Sequence, residues 1–295
     1  MTFLGIDIGG TTLKAIAFDT HGKILVEQTV PTNDHGSASW LDNVRTLFQS
    51  ALAKTHSSVR VGIAAPGLPS RDGRSIASMP GRLAGLEGLD WQQFLDRAEP
   101  VPVLNDARAA LLGENWLGAA KGYTNVLLLT LGTGVGGAVM VDGRILHGHL
   151  GRAGHLGHLS LDLTGSKDVV NTPGSLEDAI GDHTLHHRSG GKFHSTAELV
   201  AAFRAGDEEA RRIWKDSVQA LGVALSGFIN LFDPELILLG GGIAEAGPAL
   251  FDPLKTVLDQ FEWRPGGSKV RLFKAALGPR AGAAGAAFAA KQAQR

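Results

Sequence analysis

The segment FLGIDIGGTTLKAIAFDTHGKIL, from Phe3 to Leu25, contains an apolar run, a Gly/Thr turn, a second apolar run and a turn at Gly22. A second segment, VLLLTLGTGVGGAVMVDGRIL from Val126 to Leu146, has the same order of features. The pair Asp142-Gly143 within it is typical of a tight β-hairpin turn. Two such segments predict a duplicated domain in which each copy begins with a β-hairpin.

The remaining sequence alternates strand and helix patterns. VRVGIAAPG (Val59–Gly67) predicts a strand that leads into a Pro-Gly turn, and ELILLGGGI predicts a second buried strand. Ser195 and Glu198 have the spacing of a capping box, and apolar residues at helical spacing predict one helix from about Asp207 to Leu231. RAGAAGAAFAAKQ predicts a helix of small residues that packs closely on its neighbours. This alternation predicts the α/β class.

Composition excludes several classes of function. The chain has 295 residues, enough for two ordinary domains, and a net charge of −1, which argues against a nucleic-acid surface. No window has the roughly 20 apolar residues of a membrane span, and the N-terminus lacks the features of a signal peptide. The absence of cysteine excludes disulfides, thiolate zinc ligands and cysteine nucleophiles. We therefore expect a cytoplasmic protein without nucleic-acid or membrane partners.

Gly/Thr turns that follow apolar strands are suited to binding phosphate. Their N–H groups and hydroxyls face an anion, and no side chain keeps the anion away. One turn is a weak indication, but two in matching positions would hold a polyphosphate from both sides. Asp7, just before the first turn, is suited to holding Mg²⁺, although taken alone it is at least as often the cap of a turn. Neither turn matches a P-loop, and GTGVGG leads into a strand rather than the helix of a Rossmann unit.

The order of seven motifs resembles that of the ROK family of bacterial sugar kinases and related repressors: GIDIGGTTLKA, GIAAPG, VLNDARAALLGE, LGTGVGGAVMVDGRIL, GHLGH, LILLGGG and LGPRAGAAGAA. The resemblance covers nearly the whole chain. It implies the actin-like (ribonuclease H-like) ATPase fold, with ATP and a sugar bound in a cleft between two domains. Repressors of this family carry an N-terminal helix-turn-helix. Because the first phosphate motif begins at residue 5, we expect the kinase branch.

The resemblance implies a role for each matching residue. It places the nucleotide at three segments: Asp7, Gly9, Gly10, Thr11, Thr12 and Lys14; Gly132, Thr133 and Gly134; and Gly240, Gly241 and Gly242. Asp7 is also the expected Mg²⁺ ligand. It places the sugar at Gly67, Asn105, Asp106, His155, His158 and Glu177. The expected domains are 1–107, completed by a C-terminal helix over 280–295, and 108–279, and the expected assembly is a homodimer.

Asp106 is the expected catalytic residue. A sugar hydroxyl is a poor nucleophile near neutral pH, and a carboxylate within hydrogen-bond reach orients it and accepts its proton. The pair Asn105-Asp106 lies at a strand-to-helix break, where side chains can face a cleft. From the sequence alone, such a pair is more often a helix N-cap than a catalytic site. The family resemblance makes the catalytic role the favoured one.

The histidine-rich segment HGHLGRAGHLGHLSLD departs from the family pattern. In the family, E-x-G-H is followed by C-x-C-G-x-x-G-C-x-E; the His and three Cys bind zinc, and the His and two Glu contact the sugar. Here His155 replaces the first Glu and His158 keeps the His. Aligning the last Glu on Glu177 puts Asp168, Val170 and Ser175 at the cysteine positions. Valine cannot ligate a metal and serine rarely does, so we expect no zinc.

Other histidines do not rebuild a zinc site. HTLHH, from His183 to His187, has spacings that share a helix face, but structural zinc needs four well-placed ligands. We favour solvated loop positions for six of them: His147, His149, His183, His186, His187 and His194.

The leading hypothesis is an ATP-dependent kinase that phosphorylates a hexose hydroxyl, most often O6 in this family. Because an imidazole offers one donor and one acceptor where a carboxylate accepts two protons, His155 puts the usual glucose or N-acetylhexosamine preference in question. Arg82, in MPGRLAGL, is able to reach an anionic sugar, but a position in solvent is favoured. Two alternatives remain: a polyphosphate donor, and a non-catalytic sugar sensor, which the retention of Asp7 and Asp106 disfavours.

Overall fold

The computed structural model describes residues 1–55, 58–79 and 81–293. The described residues of Met1–Gly122, Ile145–Ala153 and Ala275–Arg295 form one compact unit, called unit 1 below. Those of Tyr123–Arg144 and Gly154–Lys274 form a second, called unit 2.

The described strands are β1 (Thr2–Ile8), β2 (Thr12–Phe18), β3 (Ile24–Pro31), β4 (Val59–Ala65), β5 (Leu68–Pro69), β6 (Ile76–Ser78), β7 (Val103–Asn105), β8 (Val126–Leu131), β9 (Val135–Val141), β10 (Arg144–Ile145), β11 (Leu236–Gly240) and β12 (Arg271–Lys274). The described α-helices are α1 (Trp40–Ala53), α2 (Trp91–Phe94), α3 (Asp106–Leu117), α4 (Leu176–Ile180), α5 (Asp182–Arg188), α6 (Thr196–Arg204), α7 (Glu208–Phe232), α8 (Pro248–Phe261) and α9 (Ala281–Gln292). Short 3₁₀ turns cover Leu156–His158, Gly242–Ala246, Pro265–Gly267 and Gly278–Arg280.

Two five-stranded sheets share one topology. Their strand orders are β3-β2-β1-β4-β7 and β10-β9-β8-β11-β12. In the first sheet, β1 is antiparallel to β2 and parallel to β4; in the second, β8 is antiparallel to β9 and parallel to β11. The outer strands β7 and β12 are also parallel to their neighbours. This repetition confirms the predicted duplication and the predicted α/β class.

The hairpin turn predicted at Asp142-Gly143 is present between β9 and β10. Asp142 has φ 48° and Gly143 has φ 74°. Two successive positive φ angles are the geometry that matches the right-handed twist of the flanking strands. The local sequence therefore specified this turn fully.

The central strands are apolar because the sheets are covered on both faces. All five residues of β11 are buried, as are five of the six in β8. In β1 the partly exposed residue is Asp7, and the other six residues are buried. A carboxylate in an otherwise buried strand marks a place where the strand end meets solvent or a ligand.

Small residues allow α9 to lie directly on the sheet of unit 1. A Cβ added to Gly5 of β1 would overlap the carbonyl oxygen of Ala283, and one added to Gly62 of β4 would overlap that of Ala286. Backbone can approach backbone this closely only where both elements lack bulky side chains. The small-residue helix predicted at the C-terminal end is thus confirmed and is packed against β1 and β4.

The same helix packs on α3. A Cβ added to Gly285 of α9 would overlap the carbonyl oxygen of Ala109. Since β1 carries Asp7 and α3 begins at Asp106, α9 fixes the two elements of unit 1 that carry the candidate carboxylates.

The predicted long helix is confirmed as α7. Asp207 caps it by accepting the N–H of Ala210 at 2.9 Å, and the helix ends where Asp233 adopts φ 43°. The Ser195 half of the predicted capping box is present, because Ser195 Oγ accepts the N–H of Glu198 at 3.3 Å. The Glu198 carboxylate accepts the N–H of His194, the residue before the cap.

The predicted domain boundaries, 1–107 with 280–295 and 108–279, stay a prediction. In the structure α3 and α9 both belong to unit 1. Residues 294 and 295 of the predicted last helix lie outside the described residues. Among the described helices, none combines the length and apolar character that crossing a membrane requires.

Candidate active site

The first Gly/Thr turn joins β1 to β2 in unit 1. The N–H of Gly9 donates to the carbonyl oxygen of Thr12 at 2.9 Å, which closes the turn. The Thr32 hydroxyl donates to Gly9 O at 2.6 Å and the Thr32 N–H donates to Thr11 O at 2.9 Å, which anchors it. Within the described chain, the N–H groups of Gly10 and Thr11 donate to no protein acceptor. These two groups are therefore available to an anion.

Asp7 immediately precedes this turn. Burial, and next the negative charge of Asp106, raise the pKa of the Asp7 carboxyl to about 7, while Lys14, its partner on β2, acts in the opposite direction. The carboxyl lies against Gly282 of α9, where an added Cβ would lie 2.6 Å from Oδ2. Because no described residue donates a hydrogen bond to this carboxyl, its oxygens remain available to a cation.

We expect the stability of the wild-type protein to fall, relative to Asp7→Asn, as pH rises from about 4 to about 7. The unfolded chain releases this proton near 3.8 and the folded chain near 7. The folded protein therefore binds more protons between these values and loses that stabilisation as pH rises. Thermal unfolding midpoints of both proteins, measured in EDTA across this range, check the prediction. A midpoint difference that does not change with pH would contradict it.

Asn105 and Asp106 lie where β7 ends and α3 begins. Asn105 is the N-cap residue, because its Oδ1 accepts the N–H groups of Ala107 at 3.0 Å and Arg108 at 3.4 Å. Its Nδ2 donates to the carbonyl oxygen of Gly67 at 3.1 Å. The cap role that the sequence alone favoured for this pair belongs to Asn105, which also fixes the turn at Gly67. Asp106 is the first residue of the helix.

The carboxyl of Asp106 is accessible to a ligand. Its Oδ1 accepts the N–H of Ala107 at 2.7 Å, and the residue is exposed. Although the residue has exposed surface, the protein atoms around its carboxyl reduce its solvation and raise its pKa above the usual value, and hydrogen bonds from Ala107 and Asn105 offset part of the effect. A carboxylate of raised pKa is a better proton acceptor once ionised. Asp106 is thus both reachable and suited to accepting a proton.

The second Gly/Thr turn joins β8 to β9 in unit 2. The N–H of Gly132 donates to Gly134 O at 3.0 Å. Glu177 of α4 accepts the N–H of Val135 at 2.9 Å through Oε2, and a Cβ added to Gly134 would overlap this oxygen. A Cβ added to Gly132 would meet no heavy atom within 4 Å. The turn is therefore supported by Glu177 and open at its first glycine.

His183 supports the same turn, a role that the sequence did not assign. The main-chain N–H of His183 donates to Thr133 O at 3.0 Å, and the ring Nδ1 lies 2.8 Å from that oxygen. Its Nε2 lies 3.0 Å from Oδ1 of Asp178. The expected loop positions are wrong for His183, His186 and His187, because all three lie on α5. The HTLHH spacing was the signal for that helix.

The third glycine segment follows β11. Gly241 has φ 84°, and an added Cβ would overlap the carbonyl oxygen of Leu131. Only glycine suits both the conformation and the contact. Leu131 is the last residue before the second Gly/Thr turn, so this segment lies next to that turn. A Cβ added to Gly242 would meet nothing within 4 Å, which leaves its backbone open.

His155 and His158 lie side by side in unit 2. Their rings are nearly parallel, with centroids 6.5 Å apart. Nδ1 of His158 lies 2.8 Å from Oδ2 of Asp168, whose side chain has no exposed surface. Because an ionised carboxylate only accepts hydrogen bonds, Nδ1 carries the proton. Nε2 is then the nitrogen that is left for a ligand.

Asp168, at the first cysteine position of the family pattern, organises the segment after His158. Its Oδ1 accepts the N–H groups of Val170 at 2.9 Å and Thr172 at 2.8 Å. Burial raises the pKa of Asp168, but hydrogen bonds from His158, Thr172 and Val170 outweigh it and hold the pKa below its usual value. Ser175, at the third cysteine position, caps α4. A direct hydrogen bond thus joins His158 to Asp168, and among the described residues no group of three or more His, Asp or Glu side chains is placed to hold a metal ion.

Asp168→Asn is expected to lower the free energy of unfolding by about 2 kcal/mol, because a neutral amide has one acceptor oxygen where the buried carboxylate accepts from His158 with one oxygen and from Val170 and Thr172 with the other. Since the folded-state pKa of Asp168 is lowered, its stabilisation is present above the unfolded value of 3.8 and is lost as pH falls through the folded value. Urea unfolding at neutral and acidic pH checks this. The wild type and the variant should converge in acid, with Asp252→Asn, an exposed carboxylate on α8, as the control. Equal stability at neutral pH would contradict the prediction.

Arg108 is a second residue that sequence reasoning missed. It is 1% exposed, and its Nη2 donates to the carbonyl oxygens of Gly151 at 2.6 Å and Ala153 at 3.0 Å. A buried guanidinium two residues after Asp106 therefore fixes the part of the histidine-rich segment that belongs to unit 1. The guanidinium also lies 3.3 Å from both the carbonyl oxygen and Nδ1 of His147. All these partners are about 40 positions away, and no local pattern indicates such contacts.

Comparison with known proteins identifies the family. The sequence model described as "ROK family" matches residues 3–293, so the chain belongs to the ROK family. It is 31% identical over 321 residues to a glucokinase of Halalkalibacterium halodurans, with 98% of this chain and 95% of the relative covered.

Solved structures of ROK family proteins are also similar to this chain. A ROK hexokinase from Thermus thermophilus is 30% identical with a TM-score of 0.85, and all of both chains is covered. A ROK family glucokinase from Streptomyces griseus, in complex with glucose and AMPPNP, is 25% identical with a TM-score of 0.81, and 99% of this chain and 100% of the other are covered. These neighbours have the actin-like ATPase fold, so the predicted fold is confirmed.

Proposed function

We propose that the chain is an ATP-dependent kinase that transfers the γ-phosphoryl group to a hexose hydroxyl. The observation that carries the proposal is the exposed Asp106 carboxylate at the start of α3, in the same unit as a Gly/Thr turn with two unpaired N–H groups. The carboxylate accepts a proton and the turn binds phosphate. These are the two requirements of phosphoryl transfer to an alcohol. The glucokinase and hexokinase names of the relatives support a hexose, and AMPPNP in the Streptomyces griseus enzyme supports ATP.

Asp106 is the proposed general base. Its carboxylate hydrogen-bonds the sugar hydroxyl and accepts the proton as the new oxygen–phosphorus bond forms and the bond to ADP breaks. The N–H groups of Gly10 and Thr11 bind phosphate oxygens and stabilise the charge that develops on them. Asn105 is proposed to position other groups rather than to react. It caps α3, and it fixes the Gly67 turn that is proposed to contact the sugar.

Asp7 is proposed to hold Mg²⁺. Its carboxyl receives no hydrogen bond from the described residues and Gly282 leaves it space, which fits a cation that prefers oxygen ligands. Bound Mg²⁺ supplies charge neutralisation at the phosphates. The raised pKa of Asp7 means that a proton competes for this carboxylate below about pH 7.

Unit 2 carries the other residues that are proposed to bind ligands. Gly132, Thr133 and Gly134, with Gly240, Gly241 and Gly242, are proposed to bind the nucleotide, and the adjacency of Gly241 to Leu131 supports one continuous surface. His155, His158 and Glu177 are proposed to bind the sugar. His158 is supported by its Nε2, which the Asp168 contact leaves for a ligand. A homodimer and a cytoplasmic location stay predictions from the sequence.

A coupled assay across hexoses, amino sugars and pentoses tests the proposal, with ATP and polyphosphate as separate donors. We expect transfer from ATP to a hexose, and we propose O6 as the acceptor, which NMR of the product decides. Transfer from polyphosphate but not ATP would overturn the donor assignment. Sugar binding without transfer from either donor would favour the non-catalytic sensor.

A further inference from the structure

Arg82 lies beside the first Gly/Thr turn. A Cβ added to Gly10 would overlap Nη2 of Arg82 and would lie 2.7 Å from its Cζ. The residue is exposed, as the sequence predicts, but its guanidinium also lies against the turn, which the sequence did not indicate. Pro80, in the same motif, lies outside the described residues. The glycine at position 10 thus leaves the space in which the guanidinium sits.

The loop that carries Arg82 is fixed on both sides of it. Leu83 and Leu86 are buried, and Asp34 Oδ2 accepts the N–H of Leu83 at 3.0 Å. Glu87 Oε1 accepts the N–H of Met79. The main chain directly after Arg82 is therefore anchored, and from it the guanidinium reaches the turn at Gly10.

Among the described residues, the acids near Arg82 form no ion pair with it. Asp34 and Glu87 are hydrogen-bonded to main-chain N–H groups. Within the described ranges, no carboxylate lies within ion-pair distance of Arg82. A guanidinium without a carboxylate partner, fixed beside two unpaired N–H groups, is the donor set of an anion site.

The surroundings leave room for a ligand. A cavity of about 480 Å³ is lined by the Arg82 loop together with Asp34 and Gly36, and none of its lining residues belongs to the Gly9–Thr12 turn. Met79 also borders the proposed sugar contact, since a Cβ added to Gly67 would lie 2.9 Å from Met79 Cβ. The loop of Arg82 therefore touches the phosphate turn through one residue and the Gly67 turn through another.

We propose that Arg82, which lies beside the Gly9–Thr12 turn, is a further catalytic residue that binds the phosphoryl group being transferred. The inference rests on the proposed function. A planar guanidinium matches two phosphate oxygens at once and keeps its charge at every working pH. Arg82 forms no covalent bond: the hydroxyl proton passes to Asp106, the new bond forms between the sugar oxygen and phosphorus, and ADP leaves.

The test compares Arg82→Gln with Arg71→Gln, an exposed arginine of the same unit that is not placed in the site. We expect Arg82→Gln to lower kcat/KM for ATP by about 100-fold, the lower end of what loss of one preorganised donor costs, with the sugar KM nearly unchanged. Arg82→Lys, which keeps the charge but not the fork, should recover part of the loss. Arg71→Gln should match the wild type. Equal kinetics for the two Gln variants, or a loss confined to the sugar KM, would overturn the proposal.

A binding measurement separates this inference from the proposed function. Titration with AMPPNP and Mg²⁺ should show weaker binding to Arg82→Gln than to Arg71→Gln. If the wild type transfers phosphoryl groups and Arg82→Gln binds AMPPNP as the wild type does with unchanged kinetics, Arg82 is not a phosphate contact. If the wild type transfers nothing, the proposed function fails, and the titration alone decides whether Arg82 binds the nucleotide's phosphates.

Gly10→Ala provides an independent check. Its φ lies outside the left-handed region and the added methyl meets only the far end of the Arg82 side chain, so the fold should tolerate it. The methyl would displace the guanidinium and should reproduce part of the Arg82→Gln loss. In the double variant the two losses should be less than additive, because both act through one contact. Fully additive losses would overturn the proposal.

Discussion

Replacing Asp106 by asparagine is expected to lower kcat for sugar phosphorylation by about 10³-fold, within the usual range for a general base. Asparagine keeps the size of the side chain and its place at the start of α3, but it cannot accept the hydroxyl proton. Because Asn105, not Asp106, caps the helix, the fold should be retained. The sugar KM should change by no more than about threefold, since ground-state contacts remain.

Initial rates at saturating ATP across a sugar titration measure this effect. Asp42→Asn, an exposed carboxylate on α1 of the same unit, is the matched control and should behave as the wild type. A variant that retains more than about a tenth of the wild-type kcat would show that Asp106 is not the base. A large rise in KM with kcat unchanged would assign it to binding alone.

The second large effect concerns stability. Gly285→Ala is expected to lower the free energy of unfolding by about 3 kcal/mol, the upper part of the usual range for overpacking. The added methyl would overlap the carbonyl oxygen of Ala109 and lie 2.9 Å from its Cα, and neither is the mobile end of a side chain. The contact between α9 and α3 must therefore open, which also moves the start of the helix at Asp106.

Gly227→Ala is the matched control. It is also a helical glycine, but a Cβ added there meets nothing within 4 Å. It should raise stability by about 0.5–1 kcal/mol, because alanine is the better helix former. Urea unfolding of the three proteins should thus give changes of opposite sign. A loss below about 1 kcal/mol for Gly285→Ala would mean that the helices separate easily.

Features that depend on neighbours in sequence were predicted well. Both hairpins, the Asp142-Gly143 turn, the Ser195 cap of α6 and the helix α7 were specified by local patterns of apolar residues, glycine and caps. These patterns act through hydrogen bonds and dihedral angles within a few residues, so one sequence suffices to see them. The duplication was also visible, because it repeats the same local pattern.

Features that depend on tertiary contacts were not predicted. The His158–Asp168 hydrogen bond joins residues ten positions apart, and the sequence showed only that the cysteines were absent. The contact of Arg82 with Gly10 and the burial of Arg108 require partners from distant segments. Which residue of Asn105-Asp106 caps the helix and which stays accessible depends on how the two side chains are oriented. Two adjacent polar residues in a sequence do not specify that orientation.

The central claim is that Asp106 takes the proton of a hexose hydroxyl while phosphate is held at the Gly9–Thr12 turn. Phosphorus NMR of ATP, Mg²⁺ and the accepted hexose, followed with wild type and with Asp106→Asn, tests it most directly. The account predicts a sugar-phosphate resonance growing with ADP for the wild type, and neither for a variant that still binds AMPPNP and hexose in a titration. A sugar phosphate formed by the variant at close to the wild-type rate would contradict the account.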